Sequence, residues 1–235
     1  MKHTFFIKDW LNSFLSLLFP HCCVVCGRPL AKGEECLCIM CNINLPRTNY
    51  HLRKDNPVER LFWGQIPLER ATSFFFYRKG SDFRQILHQL KYGGKKEVGI
   101  IMGRYMAAEL LDSGFFEGVD VIIPIPLHKK KQQIRGYNQS ECIARGIAAV
   151  TGITVCVESV VRRKNTETQT RKSVFERWEN VDGIFELNHA DSLTGKHILI
   201  VDDVLTTGAT IIACASRLAE VEGTRTSVLT LAMAD

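Results

Sequence analysis

From Ala71 onward the chain alternates short apolar runs with stretches of helical spacing. Ala71-Thr-Ser-Phe-Phe-Phe-Tyr77 predicts a strand. Between Ser81 and Lys91, the residues Phe83, Ile86, Leu87 and Leu90 recur at helical spacing, and Gly93-Gly94 ends that helix. A second helix is expected over Val98 to Leu111, stopping near Gly114. Val119 to Ile123 reads as a buried strand closed by the rigid Pro124-Ile-Pro126 turn. Gln139 to Val150 is helical, with Gly152 just past its end. His197-Ile-Leu-Ile-Val201 is the strongest strand, followed by a glycine-containing turn and a helix from Gly208 to about Val221; Thr226 to Ala232 closes the series. Strands alternating with helices predict an α/β fold, a doubly wound parallel sheet that takes ligands at the carboxyl ends of its strands.

The rest of the chain lacks that alternation. In residues 1–19, Ile7, Trp10, Leu11, Phe14, Leu15 and Leu18 form one helical stripe, an amphipathic N-terminal helix expected to pack onto its own chain, with contact to a membrane or a partner as the alternative. Asp9, Asn12 and Ser13 interrupt the apolar run and no small-x-small cleavage site follows, so a secretory leader is not read there. No stretch approaches a transmembrane span, and a cytoplasmic protein is expected. Residues 20–46 are rich in cysteine, residues 47–70 read as a linker with short turns, and residues 71–235 as the α/β domain. Arg162 to Asn180 is polar, basic and without period, which in a compact domain suggests a functional lid or a disordered loop.

Composition adds limits. With 235 residues, 46% hydrophobic and 23% charged, the chain is globular rather than disordered or collagen-like. A net charge of +5 suits anionic small molecules and does not by itself indicate nucleic acid.

Of the 9 cysteines, six lie between Cys22 and Cys41. Cys23-Val-Val-Cys26-Gly27 and Cys38-Ile-Met-Cys41 are two CxxC knuckles, and in each a tight turn points both thiolates at one ion. Cys23, Cys26, Cys38 and Cys41 are therefore expected to hold a structural zinc in a small ribbon-like segment, with Cys36 an alternative fourth ligand and Cys22 left over. A disulfide cluster and a thioredoxin-like redox pair are the rivals, disfavoured by the missing leader and the missing strand–helix context. Cys142, Cys156 and Cys214 read as core residues.

Candidate chemistry concentrates where the strongest strand ends. Asp202-Asp203-Val-Leu-Thr206-Thr207-Gly208-Ala209-Thr210 delivers two carboxylates and then a hydroxyl- and glycine-rich turn that opens a helix. Backbone N–H groups, threonine hydroxyls and the helix dipole make a phosphate cradle, which Gly208 lets an anion approach closely. Paired acids and a phosphate cradle suit a sugar phosphate. As plain structure, the threonines would be helix caps and the acids loop residues.

This block resembles the phosphoribosyl pyrophosphate (PRPP) signature of type I phosphoribosyltransferases. On that resemblance Asp202 and Asp203 grip the ribose hydroxyls, and Thr206, Thr207, Gly208, Ala209 and Thr210 bind the 5′-phosphate. Pro124-Ile-Pro-Leu127, Arg135-Gly-Tyr-Asn-Gln139, Arg163 to Gln169, and Arg177 with Asn180, Val181 and Phe185 are similar to motifs of the ComF/GntX-like family. That family joins a short zinc segment to this domain. The resemblance implies Mg²⁺ with PRPP, displacement of pyrophosphate from ribose C1, and a nucleophilic acceptor it leaves unnamed. Arg135 and Lys91 are the basic residues it singles out, and Lys129 to Lys131 read individually as a solvated charge run. The stretch from Arg162 to Arg177, including Arg171 and Lys172, would close over the diphosphate. His128, a general base by its chemistry, reads as structural. The alternative is a non-catalytic accessory of DNA uptake in competence, binding single-stranded DNA or PRPP as a scaffold.

Overall fold

The computed structural model describes residues 21–163 and 183–234, so the expected N-terminal helix, Lys164 and Arg171 to Arg177 lie outside the described residues. Strands β1 (Arg70–Tyr77), β2 (Val121–Pro124), β3 (Thr154–Val155), β6 (His197–Leu205) and β7 (Arg225–Ala234) form one sheet in the order β1-β7-β6-β2-β3. Every pairing in it is parallel. A separate antiparallel ribbon pairs β4 (Val160–Arg162) with β5 (Phe185–Leu187).

The sheet is apolar on both faces because each is covered, the usual condition for parallel strands. Along β6, Leu199 and Val201 face one core, Ile198 and Ile200 the other. The first core takes side chains from helices α3 (Arg84–Tyr92), α4 (Lys96–Leu110) and α6 (Gln139–Thr151). The second takes α7 (Ala209–Leu218), the β4–β5 ribbon and α2 (Pro57–Phe62). Helices α4 and α6 touch backbone to backbone. A Cβ on Gly103 would stand 2.2 Å from the carbonyl oxygen of Ile143, and one on Gly146 would stand 2.1 Å from that of Ile100.

Residues 47–70, read from sequence as a linker, carry packed structure. Asn56 is buried and caps α2, accepting from the N–H groups of Val58 (2.9 Å) and Glu59 (3.2 Å), while its amide donates to the carbonyl of Ala71 at 2.9 Å. Glu59 completes a capping box. Just upstream, Arg47 bridges antiparallel to Phe75, which covers part of the outer edge of β1. The signal for α2, Asn56-Pro57 with Glu59 three residues past the cap, was present in a stretch too short to show periodicity.

The cysteine segment, which carries the short helix α1 (Ile39–Ile43), docks onto α4. Leu37 and Leu45 enter the first core beside Met102 and Met106. Arg104 pairs with Glu35, and Arg47 donates to Glu109 at 2.5 Å while its second nitrogen reaches the carbonyl of Asn42. Helix α5 (Lys129–Arg135) is formed by the stretch read as a charge run. His128 caps it, Nδ1 accepting from the N–H of Lys130 at 3.3 Å, which is a structural role.

Candidate active site and cysteine cluster

Strand β6 outruns its neighbour. Pro124, the last residue of β2, pairs with Val201, so Asp202 and Asp203 follow where β2 has stopped. On the other side β6 continues against β7 as far as Leu205. The acids therefore sit inside a strand, not after its end as the sequence suggested, and lie where the sheet opens on one side. Brought to the carboxyl end of the sheet, they occupy the position where open parallel sheets bind ligands.

Two different helices hold the two acids. Asp203 receives the ammonium of Lys91, from the last turn of α3, at 3.0 Å. Asp202 accepts the Ser140 hydroxyl of α6 at 2.9 Å, and the same carboxylate oxygen takes the N–H of Asp203 at 2.9 Å. Part of Asp202 stays accessible, yet the protein packed around its carboxyl is as dense as the interior. Burial first, and the charge of Asp203 second, push it up to about 7; the two hydrogen bonds and Lys91 act in the opposite direction. Two neighbouring carboxylates favour sharing charge with a ligand or cation over standing fully ionised alone.

After Leu205 the chain turns through Thr206 and Thr207, both exposed, and enters α7 at Gly208. Among the described residues no side chain caps that helix, so the N–H groups of its first turn have no side-chain acceptor. Ala209 and Thr210 are half-buried in the first turn. Gly208 is buried at φ +76°, and a Cβ there would meet Leu61 Cδ2 at 2.4 Å and Phe62 Cε1 at 2.9 Å. Its missing side chain makes room for α2.

The basic residues divide. Lys91 reaches the acids. Arg135, at the end of α5, donates to Gln139 Oε1 at 2.8 Å and lies 5.6 Å over the ring of Tyr92. Arg162 lies 5.6 Å over Phe185; burial works against its charge and Asp202 favours it. Lys129 and Lys130 are exposed on α5. Sequence reasoning missed Ser140, since a buried hydroxyl leaves no pattern, and α2, whose capping signal at Asn56-Pro57 and Glu59 stood without a periodic stretch behind it.

The sulfur atoms of Cys23, Cys26, Cys38 and Cys41 all lie within 4.8 Å of one another, a spacing that can hold a tetrahedral ion such as zinc. Gly27 takes φ +72° after the first knuckle, its N–H bonding the carbonyl of Cys23 at 2.9 Å. Burial opposes a charged Cys23, but N–H groups of Cys26, Cys38 and Val25 directed at its sulfur bring the thiol down to about 7, while burial pushes the thiol of Cys41 up. Cys36 is no part of this set. It is buried against Met102, sulfur to sulfur 3.9 Å, and burial pushes its thiol up to about 12. Cys142 is buried and Cys214 is buried in the second core; Cys156 is half-buried, 2.8 Å from the hydroxyl of Ser159. Among the described residues, no helix is long and apolar enough to cross a membrane.

Residues 137–234 match the family model described as the phosphoribosyl transferase domain. Over 217 residues the chain is 29% identical to the DNA utilization protein YhgH of Shigella flexneri, covering 86% of this chain and 92% of that one. It is 25% identical over 209 residues to the competence protein ComFC of Bacillus subtilis, covering 89% and 76%. Among solved structures, the glutamine PRPP amidotransferase of Bacillus subtilis matches with a TM-score of 0.43 at 17% identity, over 62% of this chain and 30% of that one.

Proposed function

From a chain that belongs to the ComF/GntX-like family and ends in a phosphoribosyl transferase domain, we propose a PRPP-binding phosphoribosyltransferase-like protein. The observation that carries this reading is the pair Asp202–Asp203 at the open end of β6, followed within a few residues by the uncapped start of α7. The first-turn N–H groups and the hydroxyls of Thr206, Thr207 and Thr210 hold the 5′-phosphate. Asp202 and Asp203 accept hydrogen bonds from the ribose hydroxyls. Lys91 offsets part of the negative charge at that point and lies close enough to meet the diphosphate.

Held in this way, ribose C1 is presented to an acceptor from the open side. A carbon–nitrogen bond forms at C1 as the carbon–oxygen bond to pyrophosphate breaks; pyrophosphate leaves with the electron pair, and the acceptor nitrogen gives up its proton to water. Mg²⁺ bound with PRPP supplies charge neutralisation for the leaving group. The carboxylates beside Lys91 have the hard oxygen chemistry that tolerates such a complex. Cys23, Cys26, Cys38 and Cys41 would hold zinc with all four positions taken by thiolates, a structural role that would keep residues 21–46 folded. A cytoplasmic location suits both the free thiols and the substrate. Titration calorimetry with PRPP and Mg²⁺ tests the reading: saturable binding, lost in Asp202→Asn/Asp203→Asn, is expected, and no binding by the intact protein sinks it.

A second reading has one observation in its favour, the exposed Lys129 and Lys130 of α5 on the side of α6 that begins with Gln139 and Ser140. A basic helix there would let the protein act as a DNA-uptake accessory that binds single-stranded DNA. Salt-sensitive anisotropy changes with a labelled oligonucleotide, unaffected by the Asp202/Asp203 double substitution, would favour it.

A further inference from the structure

We infer that Ser140 is a positioning residue for the candidate sugar-binding acid: its buried hydroxyl fixes Asp202 so that one carboxylate oxygen is used up internally and the other is left for the ligand. The identity of that ligand rests on the PRPP reading above; the geometry does not.

Asp202 Oδ1 has two donors, the Ser140 hydroxyl and the Asp203 N–H, each at 2.9 Å. Oδ2 is then the oxygen that remains to accept from a sugar hydroxyl. Ser140 is itself held from behind. Asn138 accepts the Ser140 N–H at 3.1 Å and donates its amide to the carbonyl of Ile125 at 2.9 Å. Ile125 in turn donates its N–H to the carbonyl of Val201 at 2.9 Å. The hydrogen bonds close a ring from Val201 through Ile125, Asn138 and Ser140 back to Asp202, so both ends fall on adjacent residues of β6. Asn138, Ser140 and Ile125 are all buried, and rotation of the acid breaks a bond that water cannot easily replace. The other charged or titratable groups around Asp202 are Asp203 from β6, Lys91 from α3, Arg162 from β4 and Cys214 from α7. Among the described residues, Ser140 is the side chain that reaches the carboxylate as a neutral donor, beside the backbone N–H of Asp203, so it adds orientation without adding charge. Alanine removes that donor and threonine keeps it.

The test uses the full-length, metal-loaded protein and four versions: parent, Ser140→Ala, Ser140→Thr and Asp202→Asn. Calorimetry with PRPP and Mg²⁺ is run across the neutral range and about two pH units above it. Near neutral pH, Ser140→Ala is expected to bind about tenfold more weakly, the scale of one lost bond to a charged group. The gap should narrow at the higher pH, where Asp202 ionises without help, and Ser140→Thr should bind close to the parent. A deficit equal at every pH and shared by Ser140→Thr would mean a packing role and would overturn the inference, as would parent-like binding by Ser140→Ala. In parallel, carboxyl-carbon NMR of the ligand-free protein follows Asp202 directly, and its titration midpoint should rise in Ser140→Ala and not in Ser140→Thr. If the parent binds no PRPP, the functional reading fails while this midpoint still decides the place of Ser140.

Discussion

Gly208 and Leu61 occupy one space: a Cβ on the glycine would stand 2.4 Å from Leu61 Cδ2. The turn that starts α7 is thereby clamped by α2, whose own position depends on the buried cap Asn56. Gly208→Ala meets both a left-handed backbone and this contact, and is expected to cost about 2–4 kcal/mol in urea denaturation. Leu61→Ala opens the space, so the double variant should be less destabilised than the sum by about 1 kcal/mol. Strict additivity would show that the glycine is required by its backbone conformation alone.

The contact of α4 with α6 offers a sharper steric test. Gly103→Ala and Gly146→Ala would drive a methyl group into a carbonyl oxygen, and backbone cannot step aside as a side chain can. Each is expected to lose roughly 3 kcal/mol, despite the ~1 kcal/mol by which alanine favours a helix over glycine. A Cβ on Gly99 would meet side-chain atoms of Cys142 at 2.8 Å and Leu90 at 2.9 Å, not a carbonyl, so Gly99→Ala should cost visibly less in the same urea titration.

Metal removal should reach beyond the cysteine segment, because Leu37 and Leu45 belong to the core that α4 shares. Elemental analysis is expected to give one zinc per chain, and stripping it with a strong chelator should lower Tm by about 5 °C or more. Cys23→Ser or Cys41→Ser should lose the metal. Cys36→Ser should keep it, since that sulfur faces Met102. Loss of zinc from the Cys36 variant would return it to the ligand set.

Asp202 also makes a signature in stability against pH. Its pKa is raised to about 7 in the folded protein, from near 4 in an unfolded chain. The folded state thus holds this proton more tightly, and its contribution is complete below about pH 4 and lost as pH rises through 7. Asp202→Asn removes the cost of ionising a buried acid. Its Tm should match the parent near pH 4 and exceed it by a few degrees, about 3 °C per kcal/mol recovered, at pH 8. An equal difference at both pH values would show that the carboxyl does not titrate in that range.

Much of this was legible in residue order. Apolar runs such as Ile198 to Val201 mark buried parallel strands, because a strand covered on both faces has no polar side to show. Two CxxC knuckles place four sulfurs around one point through turns that are local in the chain. The adjacency of Asp202, Asp203 and the Thr206–Thr207–Gly208 turn is likewise a matter of a few successive residues.

Contacts between distant segments were not legible. Ser140 lies 62 positions from Asp202, and nothing local to either residue announces the bond. Lys91 found Asp203, and Leu61 found Gly208, only because α3 and α2 dock at the same end of the sheet. Helix α5 formed from a lysine run whose charges gave it no apolar stripe, and Cys36 was separated from its neighbouring cysteines by burial against Met102. Periodicity and spacing therefore determined which elements exist and which chemistry they carry, since those depend on backbone geometry within a few residues. Which oxygen of Asp202 is bound and which glycine is a packing site were decided by tertiary structure, because they depend on where separate elements meet.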